Sequence, residues 1–140
     1  MRSGRVLLAA LIGAMWFATA SADEVLAPEP GIEATIGAQI DAFLKDDFAE
    51  AFSYASPGIK GIFGTPDRFG QMVRQGYPMV WRPGDVQYLE LRDVDGALWQ
   101  RVMIRDQAGA THILDYQMIE TGEGWKINGV ELLRVPGVAA

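Results

Sequence analysis

Along this chain the apolar positions change period twice. Val6 to Ala18 form an unbroken apolar run, Ile32 to Val73 carry apolar residues three and four apart, and from about Val86 the alternation shortens to two. Spacings of three and four put side chains on one face of a helix, and a spacing of two puts them on one face of a strand. The order therefore predicts helices first and strands after. Ile32, Ile36, Ile40, Phe43 and Leu44 define the first helix. Asp46 or Asp47 caps a shorter second one, whose Phe48, Ala51, Phe52 and Ala55 share a stripe and which Ser56-Pro57-Gly58 is expected to end. Gly58, Gly61 and Gly64 predict an irregular turn. Thr65-Pro66 then supplies the N-cap and first residue of a third helix, with Phe69, Met72 and Val73 inward and Gly76 at its stop.

Four β-prone runs follow, about Val86–Arg92, Ala97–Asp106, Thr111–Glu120 and Trp125–Leu133. Asp95-Gly96, Ala108-Gly109 and Thr121–Gly124 separate them, and links this short join antiparallel neighbours. The prediction is an α+β domain, three N-terminal helices packed on one face of a four-stranded antiparallel meander. A three-residue loop Gln107-Ala108-Gly109 puts Arg101 opposite Asp115, Val102 opposite Leu114, Leu98 opposite Met118 and Ile104 opposite His112. Leu98, Val102 and Ile104 then go under the helices. Tyr88, Trp99, Met103 and Ile113 are expected on the other face as an interface patch.

This order of elements, closing on Gly124-Trp125-Lys126-Ile127-Asn128-Gly129-Val130, resembles the nuclear-transport-factor-2-like cone, also called the SnoaL-like or cystatin-like fold. More narrowly, the stretch Phe48 to Tyr54, Ala55-Ser56-Pro57, Ile62-Phe63-Gly64, Phe69, Met72-Val73, Tyr77 to Trp81, His112 to Tyr116 and Trp125 to Leu133 resembles a family of small exported bacterial proteins known only as a domain of unknown function. The resemblance implies the cone and export. It brings no assigned activity and no catalytic residue, and folds of this kind host enzymes and binders alike.

The leading run changes the picture of where the protein works. Arg2 and Arg5 precede it and Ala20-Ser21-Ala22 follows, the pattern of an export signal cleaved between Ala22 and Asp23. Its thirteen residues cover only about two-thirds of a hydrocarbon core, too little for a span. Residues 1–22 are thus read as a signal peptide, 23–31 as a disordered lead-in, 32–135 as one domain and 136–140 as a tail, with a periplasmic or secreted product. Removing 22 of 140 residues, and with them two arginines, leaves 118 residues with ten basic against eighteen acidic side chains, a net charge of −8. Such a surface repels phosphate backbones, so no nucleic-acid partner is expected; nor is a membrane span after cleavage. The chain has no cysteine, which excludes disulfides and thiolate chemistry.

Candidate chemistry is sparse. His112 is the only histidine, and Asp115, three residues on, points to the opposite strand face, so the two cannot form an acid/base pair. Asp115 is read instead as half of an exposed ion pair with Arg101, whose loss through Asp115→Asn costs about 0.2–1 kcal/mol. A single histidine and no cysteine fall short of a protein metal site, and neither a metal nor another cofactor is implied. No catalytic residue is assigned. The remaining signal is aromatic: Tyr54, Tyr77, Trp81, His112, Tyr116 and Trp125 are the candidate lining of a ligand-binding cone. The reading is an exported, non-catalytic domain that binds a small apolar or amphipathic molecule or an envelope protein, with a homodimer through the outer sheet face. Two alternatives differ in the cone, which an acid/base enzyme would use through His112 and which an accessory module would fill with side chains.

Overall fold

Proline opens four of the five helices in the computed structural model, which describes residues 23–134. These are α1 (Pro30–Leu44), α3 (Pro57–Phe63), α4 (Pro66–Gly76) and α5 (Pro78–Trp81); α2 (Phe48–Ser53) starts from Asp47. Proline suits the first helical position because its missing N–H has no intrahelical acceptor there. The residue before it supplies the cap in three cases: Glu29, Ser56 and Thr65 side chains accept from the N–H of Gly31, Ile59 and Arg68. Ser56-Pro57, expected to end a helix, starts one instead: α2 has already stopped at Ser53, and Ala55 lies beyond it. The irregular turn expected over Gly58–Gly64 is a helix, because the cap and tertiary packing outweigh the low propensity of Gly58 and Gly61. The expected signal peptide over 1–22 and the expected tail over 136–140 lie outside the described residues.

Five antiparallel strands form one sheet in sequence order: β1 (Glu24–Leu26), β2 (Pro83–Val94), β3 (Ala97–Asp106), β4 (Thr111–Thr121) and β5 (Gly124–Leu133). The architecture is α+β, with five helices and five strands in place of three and four. The lead-in expected to be disordered instead holds β1, which pairs Glu24–Leu26 with Leu91–Asp93, and the first turn of α1. Three residues are too few to show a period. What holds β1 is its ladder, Leu26 packing toward the core, and an Asp23–Arg92 ion pair at 3.0 Å.

The β3–β4 register matches the turn chemistry, with Arg101 opposite Asp115, Val102 opposite Leu114 and Ile104 opposite His112. Gly109 takes the left-handed conformation at φ 87°, and Asp95-Gly96 does so at 53° and 86° between β2 and β3. Three register shifts interrupt the sheet, the first between Pro83 and Asp85 at the start of β2. In β2 the register shifts between Tyr88 and Leu91, where buried Gln100 donates to the carbonyls of Leu89 and Arg101. In β5 the shift frees Asn128, whose amide donates to Gln117 Oε1 and whose Oδ1 accepts from Ser56 Oγ at 2.7 Å. That hydroxyl is fully buried, so the bulge ties the α2–α3 connection to the sheet edge. Two backbone bonds reinforce it, Ser56 N to Ile127 O and Ile127 N to Tyr54 O.

The core lies between the helices and one sheet face. Phe69 of α4 is its aromatic hub, with ring centroids 5.3 Å from Phe52, 5.7 Å from Phe63 and 5.8 Å from Phe43. Gly70 follows it because a Cβ there would meet the Phe48 ring at 2.5 Å, so α2 and α4 approach only through glycine. The inward residues of the sheet, among them Val102, Ile104, Leu114, Tyr116 and Met118, are all buried.

Candidate functional site

The helices do not fill the space over the bend of the sheet. A cavity of about 250 Å³ remains between α1, the α3–α4 pair and the β4–β5 hairpin. Each side contributes apolar groups: Phe43 from α1, Ile59 and Phe63 from α3, Met72 from α4, and Val130 from β5. From the sheet β4 supplies Tyr116 and β5 supplies Ile127, Gly129 and Val130, and residues of α1, α3, α4 and α5 supply most of the rest. Gln39, Tyr77 and Tyr116 are its polar members, and among the described residues no Asp, Glu, His, Lys or Arg lines it.

The three polar members are not equivalent. Gln39 is buried and its amide donates to the Ala51 carbonyl at 3.1 Å. Tyr77 donates its phenol to Val130 O at 3.1 Å. Tyr116 is fully buried, yet its hydroxyl has no hydrogen-bond partner among the described residues. Burial pushes its phenol well above the usual range, with Tyr88 and Tyr77 adding to the effect, so it stays protonated and is a donor. An unpaired buried hydroxyl costs about 1–3 kcal/mol, and this one faces no open space.

Of the six candidate cone residues the structure brings two, Tyr77 and Tyr116, to the cavity. The other four lie outside its lining, each held by a local partner. Tyr54 donates to Glu50 Oε1 at 3.2 Å on the exposed side of α2, and burial and that carboxylate raise its phenol. Trp81 donates Nε1 to Asp46 Oδ1 at 2.9 Å, with the Arg82 guanidinium 4.1 Å above its ring. The Trp81 and Arg82 hydrogen bonds hold Asp46 below the usual carboxylate range and clamp α5 to the end of α1. Trp125 packs on the first turn of α1, where a Cβ on Gly31 would meet its ring at 2.8 Å. Of these aromatics, Trp125 fastens α1 to the sheet, Trp81 joins two helix ends, and Tyr54 bonds within its own helix. Periodicity places a residue on a face but does not say how far along that face the cavity extends.

His112 sits at the rim of the β3–β4 hairpin, with Nε2 2.9 Å from Asp106 Oδ2. The Asp106 carboxylate also accepts from the N–H of Ala108 and Ala110. The His112 bond, then these backbone bonds, hold it below the usual range. Sequence reasoning found no carboxylate on the histidine's face. The signal was present, since Asp106 is two residues from Ile104 on one strand and therefore shares the face on which Ile104 meets His112. Ile59 and Phe63 are among the cavity residues missing from the candidate lining, because their helix was read as a turn.

The opposite face differs from expectation in two ways. Tyr88 pairs with Val102 on the helix-covered side and donates to Glu33 O of α1 at 3.1 Å, so it is not part of an outer patch. The strand bulge after it, invisible in the alternation, changes which residues face outward. Trp99, Met103 and Ile113 do lie on the outer side and are half-buried, but Arg101 stands between Trp99 and Met103 on β3. Arg101 reaches Asp115 through Nε and Nη2, both at 3.0 Å, and Arg92 reaches it through Nη2 at 2.8 Å. Asp115, expected to be exposed, is only 5% exposed beneath these two stems. Its hydrogen bonds raise the Arg101 guanidinium above its usual value.

Residues 26–140 match the model of a family whose description is Domain of unknown function (DUF4864). No curated protein and no solved structure matches the chain.

Proposed function

Because the chain belongs to this domain-of-unknown-function family, whose description assigns no activity, we propose its function from the cavity: it is an exported, non-catalytic module that binds a small apolar molecule. One observation carries the reading, the cavity of about 250 Å³ whose lining holds no ionisable group except two phenols. Apolar walls with a few polar groups are what small-molecule sites offer. Acid/base chemistry needs a group that exchanges protons near neutral pH within reach of the substrate. The Tyr116 phenol is shifted the wrong way for that, and the Asp106–His112 pair is outside the lining. A module with a filled cone is disfavoured by the same volume. The sheet bent over a helical layer also supports a cone of the nuclear-transport-factor-2-like kind as the plan of the domain.

The test is an NMR titration of the cleaved protein with naphthalene, a neutral probe of the cavity's size. Saturable shifts at Phe63, Met72 and Val130, lost in a folded Val73→Phe protein whose larger ring fills the site, are the expected result. Naphthalene that shifts none of these residues overturns the binding reading. For export, the N-terminal sequence of protein from the cell envelope should begin at Asp23, and an intact Met1 on a membrane-retained chain overturns it.

A further inference from the structure

Resting on the binding reading, we propose that the cavity takes the tail of a single-chain amphiphile: an unbranched hydrocarbon chain of about ten carbons or more that enters tail-first and leaves its polar head in water. The mouth of the cavity, its inner wall and its rim each support this.

The mouth is set by which lining residues reach water. Ile59, Phe63, Met72, Tyr77, Gly129 and Val130 are half-buried, and every other lining residue is buried. The half-buried set comes from α3, from α4 and the residue that follows it, and from β5, an edge strand of the sheet. The cavity therefore opens between the α3–α4 pair and β5 and ends blind against α1, α5 and β4.

The blind end is hydrocarbon apart from two groups. Phe43, Phe69, Val80 and Ile127 are apolar, the Gln39 amide donates to Ala51 O, and the Tyr116 hydroxyl is closed off. A polar group carried to that depth would give up its hydration without a charged partner, so hydrocarbon goes in first. An apolar cavity of about 150 Å³ holds benzene, so one of about 250 Å³ holds roughly ten carbon atoms.

The rim separates a chain from a compact ring. Leu132 lies two residues beyond Val130 on the same face of β5 and is 49% exposed. On α3, Ile62 stands beside Phe63, three residues from Ile59, and is 73% exposed. A ring that fitted inside the cavity would leave both in water, whereas a chain running out past Val130 covers Leu132 and so gains from the apolar surface beyond the mouth.

A homologous set of alcohols separates this inference from the reading beneath it. Affinities of 1-hexanol, 1-octanol, 1-decanol, 1-dodecanol and 1,8-octanediol are measured by NMR titration at Phe63, Met72 and Val130. Each methylene added between hexanol and decanol should tighten binding about fourfold. The diol should bind at least tenfold more weakly than 1-octanol, because one of its hydroxyls must enter the blind end. Leu132→Ser, a change at a half-exposed position, should weaken 1-dodecanol about threefold and leave 1-hexanol within about 1.5-fold. Affinity that ignores chain length, in a protein that still binds naphthalene, overturns the chain and leaves the binding reading standing. A diol as tight as octanol overturns tail-first entry. Leu132→Ser acting equally on both alcohols, or on neither, overturns the path past the mouth. If neither naphthalene nor any alcohol shifts those residues, the binding reading has failed and the chain with it. The denaturation midpoint of Leu132→Ser, measured alongside, shows that any loss is not loss of fold.

Discussion

Asp115 and Tyr116 are neighbours on β4, and the pleat sends them to opposite faces of one sheet. Both are buried, at 5% and 0% exposure. Asp115 looks toward the uncovered face yet receives three N–H donors from Arg92 and Arg101. Tyr116 looks into the helical layer and receives none. The comparison separates two uses of a buried polar group. The Asp115 carboxylate, accepting from both arginines, holds strands β2, β3 and β4 together, whereas the Tyr116 hydroxyl is a donor left without an acceptor among the described residues.

The largest expected effect breaks the outer cluster. Asp115→Asn removes the charge that both arginines neutralise and should cost about 2–3 kcal/mol in urea unfolding, more than an exposed pair could lose. A cost under about 0.5 kcal/mol would return the cluster to an ordinary surface pair. Tyr116→Phe should act with the opposite sign, raising the stability of ligand-free protein by about 1 kcal/mol because it removes a hydroxyl with no partner. Tyr88 sharpens the contrast, since its phenol does have an acceptor in Glu33 O. Tyr88→Phe should therefore cost about 1 kcal/mol in the same assay, and equal signs for the two tyrosines would show that partners do not distinguish them.

The smallest effect concerns the rim. Asp106 is held below its ordinary range in the folded protein, first by His112, so its contribution is present above the unfolded carboxylate value of about 3.9 and is lost as pH falls through the lower folded value. The stability difference between wild type and Asp106→Asn should accordingly be constant above about pH 5 and shrink below pH 4. A difference that grows on acidification would reverse the assignment.

Much of the fold was legible because it rests on local chemistry. Asp-Gly and Gly109 dictate the two tight hairpins, and with alternating apolar residues they set the β3–β4 pairing to the residue. Thr65-Pro66 marks the start of α4 unambiguously. Ser56-Pro57 shows the limit of such signals, since the pair read as a helix stop is the start of α3. Less of the candidate site was legible, two of the six candidate residues reaching the cavity. Tyr77 and Tyr116 were singled out as aromatic residues at the right period, whereas Ile59 and Phe63 were hidden behind glycines.

By itself, then, the sequence determined the α+β order, the β3–β4 register and the starts of α2 and α4, because caps, turns and alternation act over a few residues or across one hairpin. The tertiary structure alone decided the rest, where segments far apart in the chain must meet. Asp23 and Arg92 pair across 69 positions, and Ser56 and Asn128 across 72. The burial of Asp115, the volume beneath α3 and the unpartnered hydroxyl of Tyr116 are sums over such meetings, and no local pattern encodes whether a distant side chain arrives to cover a charge, fill a space or accept a hydrogen bond.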